Sequence, residues 1–214
     1  NLHKPYIDKV LLANPKAEKA KKVLGVHGFC RTEAVVDFFV WTIKNLEKEW
    51  IEMDAPVFEK WSVIDYNNLR AKFDELSLSN YDTVVTHSLG SRATMNYIIE
   101  KKVNLNRLIL VAPWMNSIKK EVQWFYDSLE AQVTELKKYV KEVIVLASDD
   151  DKWREWKAQS LAELVDANYI EVSGFGHFNV TENSIIEWLI QYGLPLKRIP
   201  EDLDVWMDSG SMPY

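Results

Sequence analysis

The stretch YDTVVTHSLGSRATMNYIIEKK, residues 81–102, changes its hydrophobic pattern halfway along. Thr83, Val84, Val85 and Thr86 are consecutive β-branched residues, which suit an extended strand. From Gly90 onward the spacing becomes helical. Ser88 stands at the junction, on a strand-to-helix turn. Taken alone, a serine before a helix reads as an N-cap. The rest of the chain decides whether Ser88 is more than that.

Outward from this junction the same alternation repeats. KKVLGVHG (21–28) reads as a strand ending in a turn, and TEAVVDFFVWTIKNLEKEW (32–50) as a helix capped by Thr32. APVFEKW (55–61) is expected as the second strand and NNLRAKFDEL (67–76) as a helix. LNRLILVAP (105–113) reads as a fourth strand, followed by one or two helices between Asn116 and Tyr139. KEVIVLAS (141–148) is a fifth strand and KWREWKAQSLAELV (152–165) a helix. NYIEVSG (168–174) is a sixth strand, and TENSIIEWLIQYG (181–193) a last helix closed by Gly193. Strands separated by helices require crossover connections and so a mainly parallel sheet. The apolar runs LILVA and VIVLA agree with burial on both faces. The expectation is one three-layer α/β domain over residues 1–214, with about six strands and helices on both faces. Its core spans about 22–192, and 193–214 form a C-terminal extension.

Composition narrows the function classes. Of 214 residues, 47% are hydrophobic and 27% charged, which suits a globular domain with a sizeable core. A net charge of −6 speaks against a nucleic-acid partner, which needs a basic surface. The single cysteine, Cys30, excludes an intrachain disulfide and suits a reducing compartment. No apolar run approaches the roughly 20 residues of a membrane span, and no secretory pattern is visible. The expectation is therefore no membrane association and a cytoplasmic location.

In an open parallel sheet, ligands meet the carboxyl ends of the strands. The residues there are HGFC after the first strand, HSLG after the third and PWM after the fourth. DDDKW follows the fifth and GFGHFN the sixth. A serine, a carboxylate and a histidine thus share one edge in the chain order Ser…Asp…His. THSLG differs by one residue from the G-x-S-x-G elbow that projects a nucleophilic serine above such a sheet. The serine hydroxyl needs a base to take its proton, and His177 is the candidate. Among the other three histidines, His3 lies in an unpatterned segment and His87 adjoins the serine, a position from which its ring would not reach the hydroxyl. His27 ends the first strand, as a turn-stabilising residue or a substrate contact. The acid is one of Asp149, Asp150 and Asp151. The Leu89 N–H begins a helix and suits an oxyanion, with Phe29 or Cys30 as the second donor. Trp114 is a candidate wall of the acyl pocket. No converging metal ligands are visible, and no cofactor is expected.

With these residues in place, the chain resembles the α/β-hydrolase superfamily. More narrowly it is similar to the small serine hydrolases that include the retinoblastoma-binding hydrolase and its bacterial relatives. The likeness rests on VHGF, HSLGS, SDDDKW and GHFN, over roughly Lys22 to Tyr192. It implies a compact sheet with little or no lid, an esterase acting on a small-molecule ester, and Ser88, His177 and Asp151 as the triad. It also leaves open a weakly active hydrolase fold that serves as a binding or scaffold protein. Lys152 replaces the family's proline after the acid, and Thr86 its first elbow glycine. The expectation at Thr86 is a slightly wider packing of the elbow. Asp150, by strand parity, is expected to point away from the histidine as a rim charge.

Overall fold

The computed structural model describes residues 20–28, 37–57, 66–114, 133–153, 158–179 and 184–193. Six strands form one sheet: β1 (Lys22–Val26), β2 (Glu52–Asp54), β3 (Thr83–His87), β4 (Leu105–Val111), β5 (Val140–Ser148) and β6 (Asn168–Val172). Their order is β2-β1-β3-β4-β5-β6, and every pairing is parallel. Among the described residues, five α-helices connect or flank them: α1 (Asp37–Lys48), α2 (Tyr66–Leu76), α3 (Leu89–Lys101), α4 (Ala158–Val165) and α5 (Ser184–Tyr192).

Side-chain alternation along the strands divides the core in two. Leu24, Val84, Leu108, Leu110, Val143 and Val145 enter the layer that also holds Leu69 and Phe73 of α2 and Leu161 of α4. Their neighbours Val23, Val85, Ile109, Val111, Ile144 and Leu146 enter the other layer, with Phe39 of α1 and Leu189 of α5. Both faces of the central strands are therefore dry. This is why they read as continuous apolar runs rather than alternating ones.

The second strand differs from its expected position. It lies at Glu52–Asp54, ahead of residues 55–61, with Lys22 beside Glu52 and Leu24 beside Asp54. Pro56 has no N–H to give to a ladder, so the run after Ala55 cannot continue the pairing. Residues 55–57 are irregular, and 58–61 lie outside the described residues. The fourth helix is also shorter than expected, because Lys152 and Trp153 form a turn. Between β4 and β5 the described part is a 3₁₀ turn at Thr134–Lys138. Thr32, Phe29, Cys30 and residues 194–214 of the C-terminal extension fall outside the described residues.

An ion-pair clamp holds α5 to the sheet. Arg107 of β4 is 6% exposed. Its Nε donates to Glu142 of β5 at 2.6 Å, and its Nη1 donates to the Ile190 carbonyl at 2.9 Å. Gly193 ends α5 at φ 65°, giving its N–H to the Leu189 carbonyl at 2.9 Å. A Cβ there would lie 2.4 Å from the Arg107 guanidinium, so the cap and the ion pair require glycine together.

Candidate active site

Strand order reverses at β1, since β2 lies on one side of it and β3 on the other. Such a switch point opens a crevice at the carboxyl edge. Ser88 stands there, one residue after β3. Its backbone has φ 53° and ψ −125°, a conformation L-residues rarely adopt. The turn is held by its surroundings: Ser88 N–H donates to the Val111 carbonyl at 3.0 Å. The Ser88 carbonyl in turn accepts from Ser91 N–H at 3.1 Å and from Trp114 N–H at 3.2 Å.

Two glycines make room for this turn. A Cβ on Gly28 would sit 2.6 Å from the Ser88 Cβ. A Cβ on Gly90 would meet the His27 carbonyl oxygen at 2.5 Å and that of Val26 at 2.8 Å. The start of α3 is therefore pressed against β1, and the elbow is not held apart there. Thr86, in place of the elbow's first glycine, is fully buried and pairs its hydroxyl with that of Ser91 at 2.8 Å. It also reaches the Ile109 carbonyl at 3.3 Å. The hydroxyl that replaces a glycine is thereby satisfied inside the core.

The histidine and acid loops meet Ser88 from the far side of β4. His177 Nε2 lies 2.9 Å from Ser88 Oγ, and its Nδ1 lies 2.8 Å from Asp151 Oδ2. The His177 side chain is 15% exposed and that of Asp151 6%. The other Asp151 oxygen, Oδ1, accepts the Trp153 N–H at 2.8 Å. Both carboxylate oxygens are thus engaged, and one chain of hydrogen bonds runs Asp151–His177–Ser88.

The three consecutive aspartates divide three tasks. Asp149 accepts from the Ser173 hydroxyl at 2.7 Å. Asp150 accepts from the Ser148 hydroxyl at 2.5 Å and from Gly176 N–H at 2.9 Å. Ser148 Oγ accepts Phe175 N–H at 3.2 Å. The hydrogen bond from Ser148, followed by that from Gly176, holds the Asp150 carboxyl below the ordinary carboxylate range. As expected, Asp150 is exposed and its contacts are with Ser148 and Gly176 rather than with the His177 ring, although these bonds tie it to the histidine loop. Parity along an extended chain does not apply, because residues 149–150 form a turn.

The two remaining histidines of the site are structural in their contacts. His27 is 2% exposed, and its Nδ1–H donates to the Gly28 carbonyl at 2.7 Å. Burial pushes its pKa down, partly offset by that bond. His87 is 4% exposed, and its Nε2–H donates to the His177 carbonyl at 2.8 Å. The two rings stand 4.9 Å apart. Burial first, and then the neighbouring His177, push the His87 pKa down to about 3. Its contact with His177 carries no signal in the sequence, where the two residues are 90 positions apart.

Trp114 is half-buried beside this chain. With Ala112, Pro113, Ala158 and the 56%-exposed Trp153 it lines a small cleft that also touches Asp151 and His177. Leu89 opens α3, so its N–H is among those at the helix N-terminus that lack an intrahelical acceptor. Among the described residues, no three His, Cys, Asp or Glu side chains gather as a metal site. No described helix is long and apolar enough to cross a membrane.

A parallel sheet with helices on both faces, carrying a strained serine after one strand and its histidine after another, defines an α/β-hydrolase. The chain belongs to the serine hydrolase family, whose model matches residues 26–189. It is similar in structure to the ydeN gene product from B. subtilis, at TM-score 0.66 and 22% identity over 90% of this chain and 100% of that one. A predicted CIB-like hydrolase from Thermoplasma acidophilum matches at TM-score 0.58 and 17% identity, covering 79% of this chain and 83% of the other. The esterase domain of a Rhodothermus marinus protein matches at TM-score 0.56 and 12% identity, covering 88% and 87%. At these identities the similarity carries the fold alone. No curated protein matches the sequence closely enough to be counted as a relative.

Proposed function

We propose that this serine hydrolase is carboxylesterase-like, cleaving a small ester, and less readily an amide, through an acyl-enzyme on Ser88. The observation that carries this reading is the continuous chain from Asp151 through both ring nitrogens of His177 to Ser88 Oγ, at 2.8 and 2.9 Å. In the first half-reaction Ser88 Oγ attacks the ester carbonyl carbon while His177 Nε2 takes its proton. The oxyanion of the tetrahedral intermediate accepts a hydrogen bond from Leu89 N–H, and a second from the loop after β1, assigned here to Phe29. The intermediate collapses as His177 gives its proton to the leaving alkoxy oxygen. Water, deprotonated by His177, then attacks the acyl carbon and frees Ser88 with its proton restored. Asp151 keeps the Nδ1 proton on the side away from Ser88 and stabilises the imidazolium.

The cleft between Trp114 and Trp153 supports a short apolar acyl or alkyl group. A panel of activated esters of graded acyl length, with a fluorophosphonate probe alongside, tests the whole reading. Wild type is expected to label and to favour short chains. Ser88→Ala is expected to do neither while folding normally. Labelling of the alanine variant, or no labelling of wild type, would overturn the proposal; the latter would favour a binding role for the fold.

A further inference from the structure

His177 sits in a turn that its own backbone does not favour. Gly176 before it has φ 51° and Phe178 after it φ 56°, left-handed values on both sides. For Phe178 this conformation is strained and persists only where the surroundings over-determine it. Part of that constraint is apolar: Phe178 is fully buried and stacks on Phe175 at 5.6 Å. The turn also closes on itself, Phe178 N–H donating to the Phe175 carbonyl at 2.9 Å, and further polar contacts come from residues outside it.

On the amino side, the Asp150 carboxylate accepts Gly176 N–H at 2.9 Å. On the carboxyl side, His87 Nε2–H donates to the His177 carbonyl at 2.8 Å. Asp151 orients the imidazole ring, but a hydrogen bond to a ring nitrogen does not fix the backbone from which the ring hangs. We infer that His87 and Asp150 are positioning residues that hold the turn around His177, at its own carbonyl and at the Phe175–Gly176 peptide, and so keep its Nε2 within reach of Ser88. The inference rests on the triad reading above.

The donor at His87 is permanent in this arrangement. A carbonyl oxygen only accepts, so Nε2 carries the hydrogen. Burial keeps the ring neutral, and no second cation stands beside His177 when it takes the serine proton. The signal is invisible in the sequence because His87 looks like a mere neighbour of the nucleophile.

The test compares full-length His87→Leu, His87→Gln, Asp150→Ala and Asp150→Asn on one short activated ester. It reads kcat, KM, the fluorophosphonate labelling rate and Tm. A mispositioning of about 1 Å is able to cost ~10²-fold, so His87→Leu is expected to lower kcat and labelling about 10- to 100-fold with KM nearly unchanged. His87→Gln, which keeps an N–H near the Nε2 position, is expected to recover most of that loss. Asp150→Ala is expected to lower kcat roughly 3- to 10-fold, with Asp150→Asn milder because it retains an acceptor. A folded His87→Leu with wild-type kcat, or a Gln variant as slow as Leu at equal Tm, would overturn the role of His87. Should His87→Leu fail to fold, the surface Asp150 pair decides, and unchanged kcat in Asp150→Ala sinks the inference. Ser88→Ala tests the triad separately. An inactive Ser88→Ala beside unaffected His87 and Asp150 variants removes only the positioning roles.

Discussion

Thr86 and Ser91 join hydroxyl to hydroxyl at 2.8 Å beneath the serine turn, and both are fully buried. The arrangement in which Ser91 donates to Thr86 and Thr86 to the Ile109 carbonyl satisfies both groups. Thr86→Val alone leaves the Ser91 hydroxyl buried without its partner, at an expected cost of about 1–3 kcal/mol. Adding Ser91→Ala removes both polar groups, and the double variant is expected to recover most of that loss. Urea unfolding of the two singles and the double measures this. Additive losses would mean that the pair is not coupled.

The acid loop gives a sharper contrast. Asp151→Asn is expected to cut kcat by about 10⁴-fold, since an amide favours the wrong imidazole tautomer while keeping the shape. Asp149→Asn is expected to change kcat less than about threefold, because an amide oxygen still accepts from Ser173 at this exposed pair. Both variants are read on one activated ester. Equal effects would mean that the 2.8 Å contact of Asp151 with His177 does not orient the ring.

Gly90 lies inside a helix, where replacement by alanine normally stabilises by about 1 kcal/mol. Here the sign reverses. The new Cβ would lie 2.5 Å from the His27 carbonyl and 2.8 Å from that of Val26, both backbone atoms of a buried strand end. Gly90→Ala is expected to lower stability by about 1–3 kcal/mol or more, as overpacking does. A raised Tm would contradict the close approach of α3 and β1.

Acid should weaken the fold before the carboxylates protonate. His87 titrates near 6.5 when unfolded and near 3 when folded, and the His27 pKa is also lowered. Below 6.5 the unfolded chain therefore binds protons that the native state refuses. Stability is full above that pH and falls as pH drops towards 3. Each such group contributes a slope of up to about 1.4 kcal/mol per pH unit within the window. Urea titrations between pH 7 and 4.5 should show His87→Gln with a shallower decline than wild type. Parallel declines would place the His87 ring in a solvated setting instead.

Much of the architecture was legible because it is local. Strand and helix periods are properties of consecutive residues, so β3, β5 and the helix closed by Gly193 could be read directly. The order Ser88, then an acid, then His177 at the ends of the third, fifth and sixth strands was also visible, since a parallel sheet brings its carboxyl edges together whatever the side chains are. The second strand was misplaced because its three residues, Glu52 to Asp54, carry no apolar run of their own. Only pairing with Lys22–Leu24 makes them a strand. The residue types alone left the acid open and only the resemblance implied Asp151; tertiary structure aims that aspartate at His177, because adjacent acids have the same chemistry and differ only in how a turn directs them. It likewise decided the partners of Thr86 and the grip of His87 on His177. Those contacts join residues 5 and 90 positions apart through folded geometry, with no spacing rule to announce them.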